Sequence, residues 1–201
     1  MKWIAPALAY LAVGLGLFVF HNAWGALLGF HAAIIGSLLI ARPNIPVSIL
    51  FTATNKKWIA LSFVLAGGSG IALYFLRDVF RISGDLPAQL ESIGLTSSTW
   101  IPFIAYFAAV NPFVEEYFWR GYLGDAAKGL YGSDLIYAGF HAMILIGKVH
   151  PGSIVFGLAV LTFAGWFWRQ MAREDGGLLA PVLGHMGADF TILMAVYWMI
   201  T

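Results

Sequence analysis

Seven apolar stretches separated by short polar links constrain this chain more than any motif does. They run from Trp3 to Phe20, Trp24 to Ala41, Trp58 to Leu76, Trp100 to Leu123, Asp134 to Val149, Ser153 to Ala172 and Leu178 to Ile200. A helix that crosses a bilayer needs about 20 predominantly apolar residues at a rise of about 1.5 Å each. Most of the stretches come close to that length; the fifth is short and reads as a tilted or partly buried helix. The pattern predicts an all-α fold, a polytopic membrane helix bundle of about seven transmembrane helices, within a range of six to eight. Composition agrees: 60% of the 201 residues are hydrophobic and 10% charged, against about 25% charged in soluble domains.

The links add detail. The His21-Asn22 turn is tight enough to make the first two helices an antiparallel hairpin. The segment from Arg42 to Lys57 holds two prolines and reads as a cytoplasmic loop with a short interfacial piece. Between Arg77 and Ser98, the pattern Leu86, Leu90, Ile93 predicts one amphipathic turn lying on the membrane. Residues 1–201 are expected to form a single integral-membrane domain. Within it, 1–99 supplies N-terminal helices and an interfacial loop, and 100–201 a catalytic helix core. Lys2 before an apolar run imitates a secretory signal, but the run is long enough to span and reads as a retained first helix.

Positive charges give an orientation. On the N-terminal side of a seven-helix arrangement lie Lys2, Arg42, Lys56, Lys57, Arg120, Lys128, Arg169 and Arg173, with Arg77, Arg81 and Lys148 opposite. That bias predicts a multi-pass protein with a cytoplasmic N-terminus and an external C-terminus; the expected location is a prokaryotic cell membrane. A formal net charge of +1 argues against a nucleic-acid partner. With no cysteine, disulfides, thiolate zinc sites and a cysteine nucleophile are excluded together.

Ionisable residues inside the apolar stretches concentrate in the second half: Glu115, Glu116 and Arg120 in the fourth, His141 in the fifth, His185 and Asp189 in the seventh. Each charge near a helix centre costs about 2.5–3.5 kcal/mol on insertion scales, so such groups are expected to face one another or water. In the seven-helix arrangement the fourth helix leaves the cytoplasmic side about 12 Å beyond Glu115. The fifth and seventh enter from that side and place His141 and His185 about 10 Å deep. Three helices thus bring their ionisable groups to one level. Glu116 and Arg120 stand four apart, acid first, as a same-face ion pair does. Glu115 is rotated about 100° from Glu116, so one acid pairs with Arg120 while the other faces the site. Tyr137 with His141, and His185 with Asp189, also share faces, giving each imidazole a neighbour that fixes its tautomer.

Two imidazoles and a carboxylate support hydrolysis in two ways. Glu115, His141 and His185 can bind a divalent metal such as zinc, leaving one position for an activated water. Alternatively Glu115 deprotonates a water directly while the histidines stabilise the oxyanion. The residues alone leave both open.

The stretch Asn111-Pro-Phe-Val-Glu-Glu-Tyr-Phe-Trp-Arg-Gly121 resembles the Glu-Glu-x-x-x-Arg motif of the CAAX-protease and bacteriocin-processing (CPBP, or Abi) family of intramembrane glutamic or metal-dependent proteases. Tyr137 to His141 is similar to the family's Phe-x-x-x-His motif, and His185 to Asp189 to its His-x-x-x-Asn motif, with a similar lead-in from Gly176 to Gly184. The resemblance covers about the last 100 residues. It implies an intramembrane endopeptidase in which Glu115 activates water, Glu116 and Arg120 support it, and His141 and His185 complete the site. The implied partners are the lipid bilayer and a membrane-associated or lipid-anchored substrate: a prenylated C-terminal tail, a leader peptide or a membrane-sorting tail. Tyr137 in place of Phe is a mild departure. Asp189 in place of Asn is a sharper one, because an ionised acid cannot donate to an oxyanion as an amide can. Asp189 is then held protonated, orients His185 or helps bind a metal.

Other features have structural readings. His31 is expected to be a packing or interfacial residue, and His21 and His150 to be solvated in turns. Trp166, Phe167 and Trp168 read as an interface belt, and Gly67-Gly68-Ser69-Gly70 as a site of close helix packing. Pro112 is expected to kink the fourth helix and open a cavity near the acids. Two further functions compete. One is a proton-coupled transporter using the Glu–His cluster as a relay, although no inverted repeat is evident. The other is a non-catalytic scaffold or immunity protein, in which a Glu115→Gln variant keeps its phenotype.

Overall fold

The computed structural model describes residues 2–201, and among them it is helical throughout, with one isolated antiparallel bridge between Ile82 and Val149. Helix α1 (Ala5–Gly14) continues as a π-helical turn over Leu15–Val19, and α2 (Ala23–Ala41) returns against it. The expected hairpin is present, and its turn has a local cause. His21 takes a positive φ of 47°, and the Asn22 side chain accepts from the Gly25 N–H to cap α2. A side chain at Gly16 would overlap the Ala26 backbone, so the two helices meet at a glycine.

The link after α2 holds a 3₁₀ turn at Val47–Phe51. Helices α3 (Lys56–Gly67) and α4 (Ser69–Phe75) follow almost end to end, then two short helices, α5 (Arg77–Phe80) and α6 (Leu86–Ser92). Helix α7 (Trp100–Glu116) runs into a second π-helical turn, Tyr117–Tyr122. Helices α8 (Gly132–Leu145), α9 (Pro151–Asp175) and α10 (Leu179–Ile200) complete the chain. Each predicted stretch corresponds to one helical run. Four runs are long and apolar enough, by length and composition, to cross a membrane: Ala23–Ala41, Lys56–Phe75, Pro151–Asp175 and Leu179–Ile200. Ala5–Val19 is a shorter apolar helix.

Helix α10 is the spine, packing on α3, α4, α7 and α9. Its contact with α3 and α4 depends on absent side chains. A Cβ at Gly184 would overlap Ser62, one at Gly70 would overlap the Thr191 backbone, and Gly187 meets Gly67. The Gly67–Gly70 run is thus a close-packing surface, as expected.

The burial pattern is inverted relative to a soluble fold. Ile40 and Phe75 are each 78% exposed, whereas Glu115 is 2% and Glu116 0% exposed. Apolar side chains face outward and charged ones inward, the arrangement of a protein whose solvent is lipid. The Leu86–Leu90 turn differs from expectation. Both leucines are buried in a cluster with Leu27, Trp100 and Phe103, so α6 closes the end of the bundle and its apolar side faces protein. At the other end, Arg169 on α9 bonds both carboxylate oxygens of Asp134 on α8, at 2.9 and 2.7 Å. Its guanidinium also donates to the Asp125, Ala127 and Gly129 carbonyls, strapping down the loop between α7 and α8. The α9 C-terminus is tied to the α3 N-terminus, where Asp175 accepts from the Thr54 and Asn55 backbone N–H groups.

Candidate active site

Helix α7 presents two parallel rows of polar groups. On one, residues 111, 115 and 119 follow at four-residue spacing. The Asn111 amide donates to Glu115 Oε1 at 2.9 Å and the Trp119 indole N–H donates to Glu115 Oε2 at 2.9 Å. On the other, Arg120 Nη1 donates to Glu116 Oε1 at 2.9 Å, both side chains being buried. The two acids therefore do separate jobs, as their 100° offset requires. Trp119 and Arg120 both lie in the Tyr117–Tyr122 π-helical turn, a local widening that recurs at functional sites.

Helix α10 supplies the opposing groups. His185 Nδ1 donates to Glu116 Oε1 at 2.7 Å, and its Nε2 stands 3.5 Å from Asp189 Oδ1. Asp189 Oδ2 accepts from the same Asn111 amide, at 3.2 Å. Five of the six candidates, Glu115, Glu116, Arg120, His185 and Asp189, thus form one connected chain with Asn111 as the link. The tighter partner of His185 is Glu116, a contact between helices that spacing along α10 does not reveal.

His141 is placed differently. Its Nδ1 donates to the Tyr137 backbone carbonyl at 3.1 Å rather than to the phenol. With the hydrogen on Nδ1, a neutral His141 has a lone pair on Nε2 and can accept a hydrogen bond there but not donate one. No hydrogen bond joins it to the acids. It approaches the cluster through the Tyr137 ring, which lies 5.2 Å from the His141 ring and 6.1 Å from the His185 ring, edge-on to both.

Aromatic rings seal the charges. The Arg120 guanidinium lies 4.0 Å from the Tyr137 ring and 5.1 Å from the Trp168 ring. Trp168 stacks on His185 at 4.9 Å and donates to Ser62 Oγ at 3.1 Å. Trp168 is therefore a buried wall of the site and not part of an interface belt. Its neighbour Trp166 reaches the Lys128 carbonyl at the rim. His31 is also more than packing. It is buried, its Nε2 lies 3.1 Å from Asn111 Oδ1, and its Nδ1 lies 3.1 Å from the Tyr106 hydroxyl.

Beside this network is an apolar cavity of about 270 Å³, bounded by α1, α2, α7, α8, α10 and the 82–95 link. Its polar lining consists of Asn111 and Glu115 from α7 and, from the link after α8, Lys148. Partial burial lowers the Lys148 pKa below the ordinary lysine value by desolvating the ammonium. Among the described residues, no group of three or more His, Asp or Glu side chains is arranged to hold a metal ion, so Glu115, His141 and His185 as placed do not form such a ligand set.

Residues 97–191 match the family model described as Type II CAAX prenyl endopeptidase Rce1-like. The match contains every residue of the Glu115–Asp189 network except His31. No curated protein and no solved structure matches the chain. The three motifs that resemble the CAAX-protease family all lie within the residues that fit this Rce1-like model.

Proposed function

We propose that the protein is an intramembrane endopeptidase that hydrolyses a peptide bond in a membrane-associated or lipid-anchored substrate, with Glu115 activating the water. The observation that carries this reading is the position of Glu115, a buried carboxylate on the wall of a largely apolar cavity. Of the polar groups that α7 presents to the cavity, Asn111 and Glu115, Glu115 is the one able to take a proton. The cavity suits an apolar segment or lipid-bearing residue next to the scissile bond, and about seven spanning helices would enclose it.

Each Glu115 oxygen accepts one hydrogen bond, from Asn111 or Trp119, and each keeps a second lone pair for a water hydrogen. In the proposed reaction Glu115 takes a proton as the water oxygen attacks the carbonyl carbon, then returns it to the departing amine. Glu116 accepts from Arg120 and His185 and serves to hold that histidine. As an imidazolium, with its Nδ1–H given to Glu116, His185 supports the oxyanion through its Nε2–H, and Asp189 beside that nitrogen orients the ring. His141 contributes differently from the initial expectation: in its neutral form Nε2 accepts, so it holds water or takes a proton. None of these steps passes through a metal.

The test compares protein termini, by mass spectrometry, in host cells carrying wild type or Glu115→Gln at equal levels. Termini next to transmembrane or lipidated segments that need the carboxylate are expected. Identical lists would refute the peptidase, and proton-coupled flux in liposomes would then favour a transporter.

A further inference from the structure

The hydrogen bonds around Asn111 run in one direction. The Asn111 side chain meets two carboxylates on one side, Glu115 Oε1 at 2.9 Å and Asp189 Oδ2 at 3.2 Å, and an imidazole nitrogen on the other, His31 Nε2 at 3.1 Å. The amide nitrogen is placed toward both carboxylates and the carbonyl oxygen toward His31, so both acids act as acceptors of the amide hydrogens. The imidazole then carries its hydrogen on Nε2. Its Nδ1 is left as an acceptor, and the Tyr106 hydroxyl 3.1 Å away can donate to it. The chain runs Tyr106 to His31 to Asn111 to the two acids, each group donating to the next. No other titratable group is hydrogen-bonded to His31 among the described residues.

We propose that His31 and Tyr106 are positioning residues, which lock the Asn111 amide so that its two hydrogens bridge Glu115 on α7 and Asp189 on α10. This rests on the proposed peptidase reading only for its kinetic consequence. Without an Nε2 hydrogen to receive, the amide carbonyl has no partner on its own side. Nothing then prevents a flip that would aim its oxygen at two acids, repelling both. A locked amide holds Glu115 in one rotamer for attack and holds α10 at a fixed distance from α7. The arrangement suits an acid at 189, where the family motif has Asn: either carboxylate oxygen accepts from the Asn111 amide, whereas an amide there could accept through its oxygen alone. His31 lies on α2, outside residues 97–191, so the site draws on the N-terminal half of the chain.

The experiment combines kinetics with an observation that needs no turnover. The chain has four asparagines, Asn22, Asn44, Asn55 and Asn111, so asparagine-specific ¹⁵N labelling gives few side-chain amide signals, and Asn111→Asp identifies the buried one. His31→Phe is expected to shift or broaden that signal and leave the other three in place. In assays, His31→Phe should lower kcat about 10-fold with KM held within 2-fold, and Tyr106→Phe should lower it less. In the Asn111→Asp background His31→Phe should cost nothing further, because the residue through which it acts is gone. Multiplying losses, with an unmoved amide signal, would mark His31 as packing and overturn the proposal. Should His31→Phe unfold, His31→Gln, which retains an N–H donor, takes its place and should keep both the amide signal and most of kcat; loss of both in a folded His31→Gln would also overturn the proposal. A shifted amide signal in a protein without peptidase activity would refute the proposed function and leave the amide lock standing.

Discussion

Replacing Arg120 by methionine isolates the energetics of the buried ion pair. Its Nη1 lies 2.9 Å from Glu116 Oε1, and the two side chains are 2% and 0% exposed. At an effective dielectric of about 20, unit charges at that distance attract by about 6 kcal/mol, most of which is offset by removing them from solvent. The net worth of the pair is small, but the cost of orphaning one member is not. Arg120→Met leaves Glu116 with His185 as its one remaining partner, and its Oε2 already has none. Breaking a buried pair in this way costs about 3–5 kcal/mol. The lost guanidinium contacts with Tyr137 and Trp168 add up to about 2 kcal/mol more. Arg120→Met should therefore lower stability by about 5 kcal/mol, read as the shift in unfolding by dodecyl sulfate in mixed micelles followed by tryptophan fluorescence. Glu116→Leu combined with Arg120→Met should recover at least half of that, since no uncompensated charge remains. A loss under about 1 kcal/mol, as for a solvated pair, or a double variant no more stable than the single, would refute the claim that the pair is sealed.

Three further outcomes are expected. Trp119→Phe keeps the ring but deletes the indole donor to Glu115; losing a hydrogen bond to a charged group costs about 1.5–3 kcal/mol, so kcat should fall about 10–100-fold, and an unchanged kcat would make the indole a packing group. Arg169→Met frees the carbonyls of Asp125, Ala127 and Gly129, so backbone amides from 123 to 131 should exchange with deuterium faster; unaltered exchange would show that the strap is not what orders this loop. Exhaustive dialysis against a chelator should leave cleavage unaffected, whereas loss reversed by added zinc would assign Glu115 to metal binding and not to proton transfer.

How much of this was legible in the sequence depends on whether a contact lies within a helix or between helices. The seven stretches and the Glu116–Arg120 pair follow from 3.6 residues per turn and the cost of charge in lipid, and both are present. Asn111 and Trp119 could have been found by the same reasoning, since they flank Glu115 at four residues on either side. His185–Glu116, Trp168–His185 and His31–Asn111 join different helices, and periodicity carries no information on how one helix is rotated against another. His31 looked isolated because its partners are 75 and 80 residues away. Trp168 looked interfacial because its neighbours in sequence are tryptophan, phenylalanine and arginine. The Tyr137–His141 spacing correctly placed both residues on one face, but the bond went to the backbone carbonyl.

The internal pairing of α7 bears on how the protein is made. A membrane protein enters the bilayer in order of synthesis, and α7 emerges well before α10. During that interval His185 and Asp189 do not yet exist, and two adjacent acids would be stranded in hydrocarbon. Asn111 and Trp119 already hold both oxygens of Glu115, and Arg120 already holds Glu116, all from the same helix. The helix therefore carries its own partners across the threshold, and the late arrival of α10 completes a site whose most costly members were already hydrogen-bonded or paired.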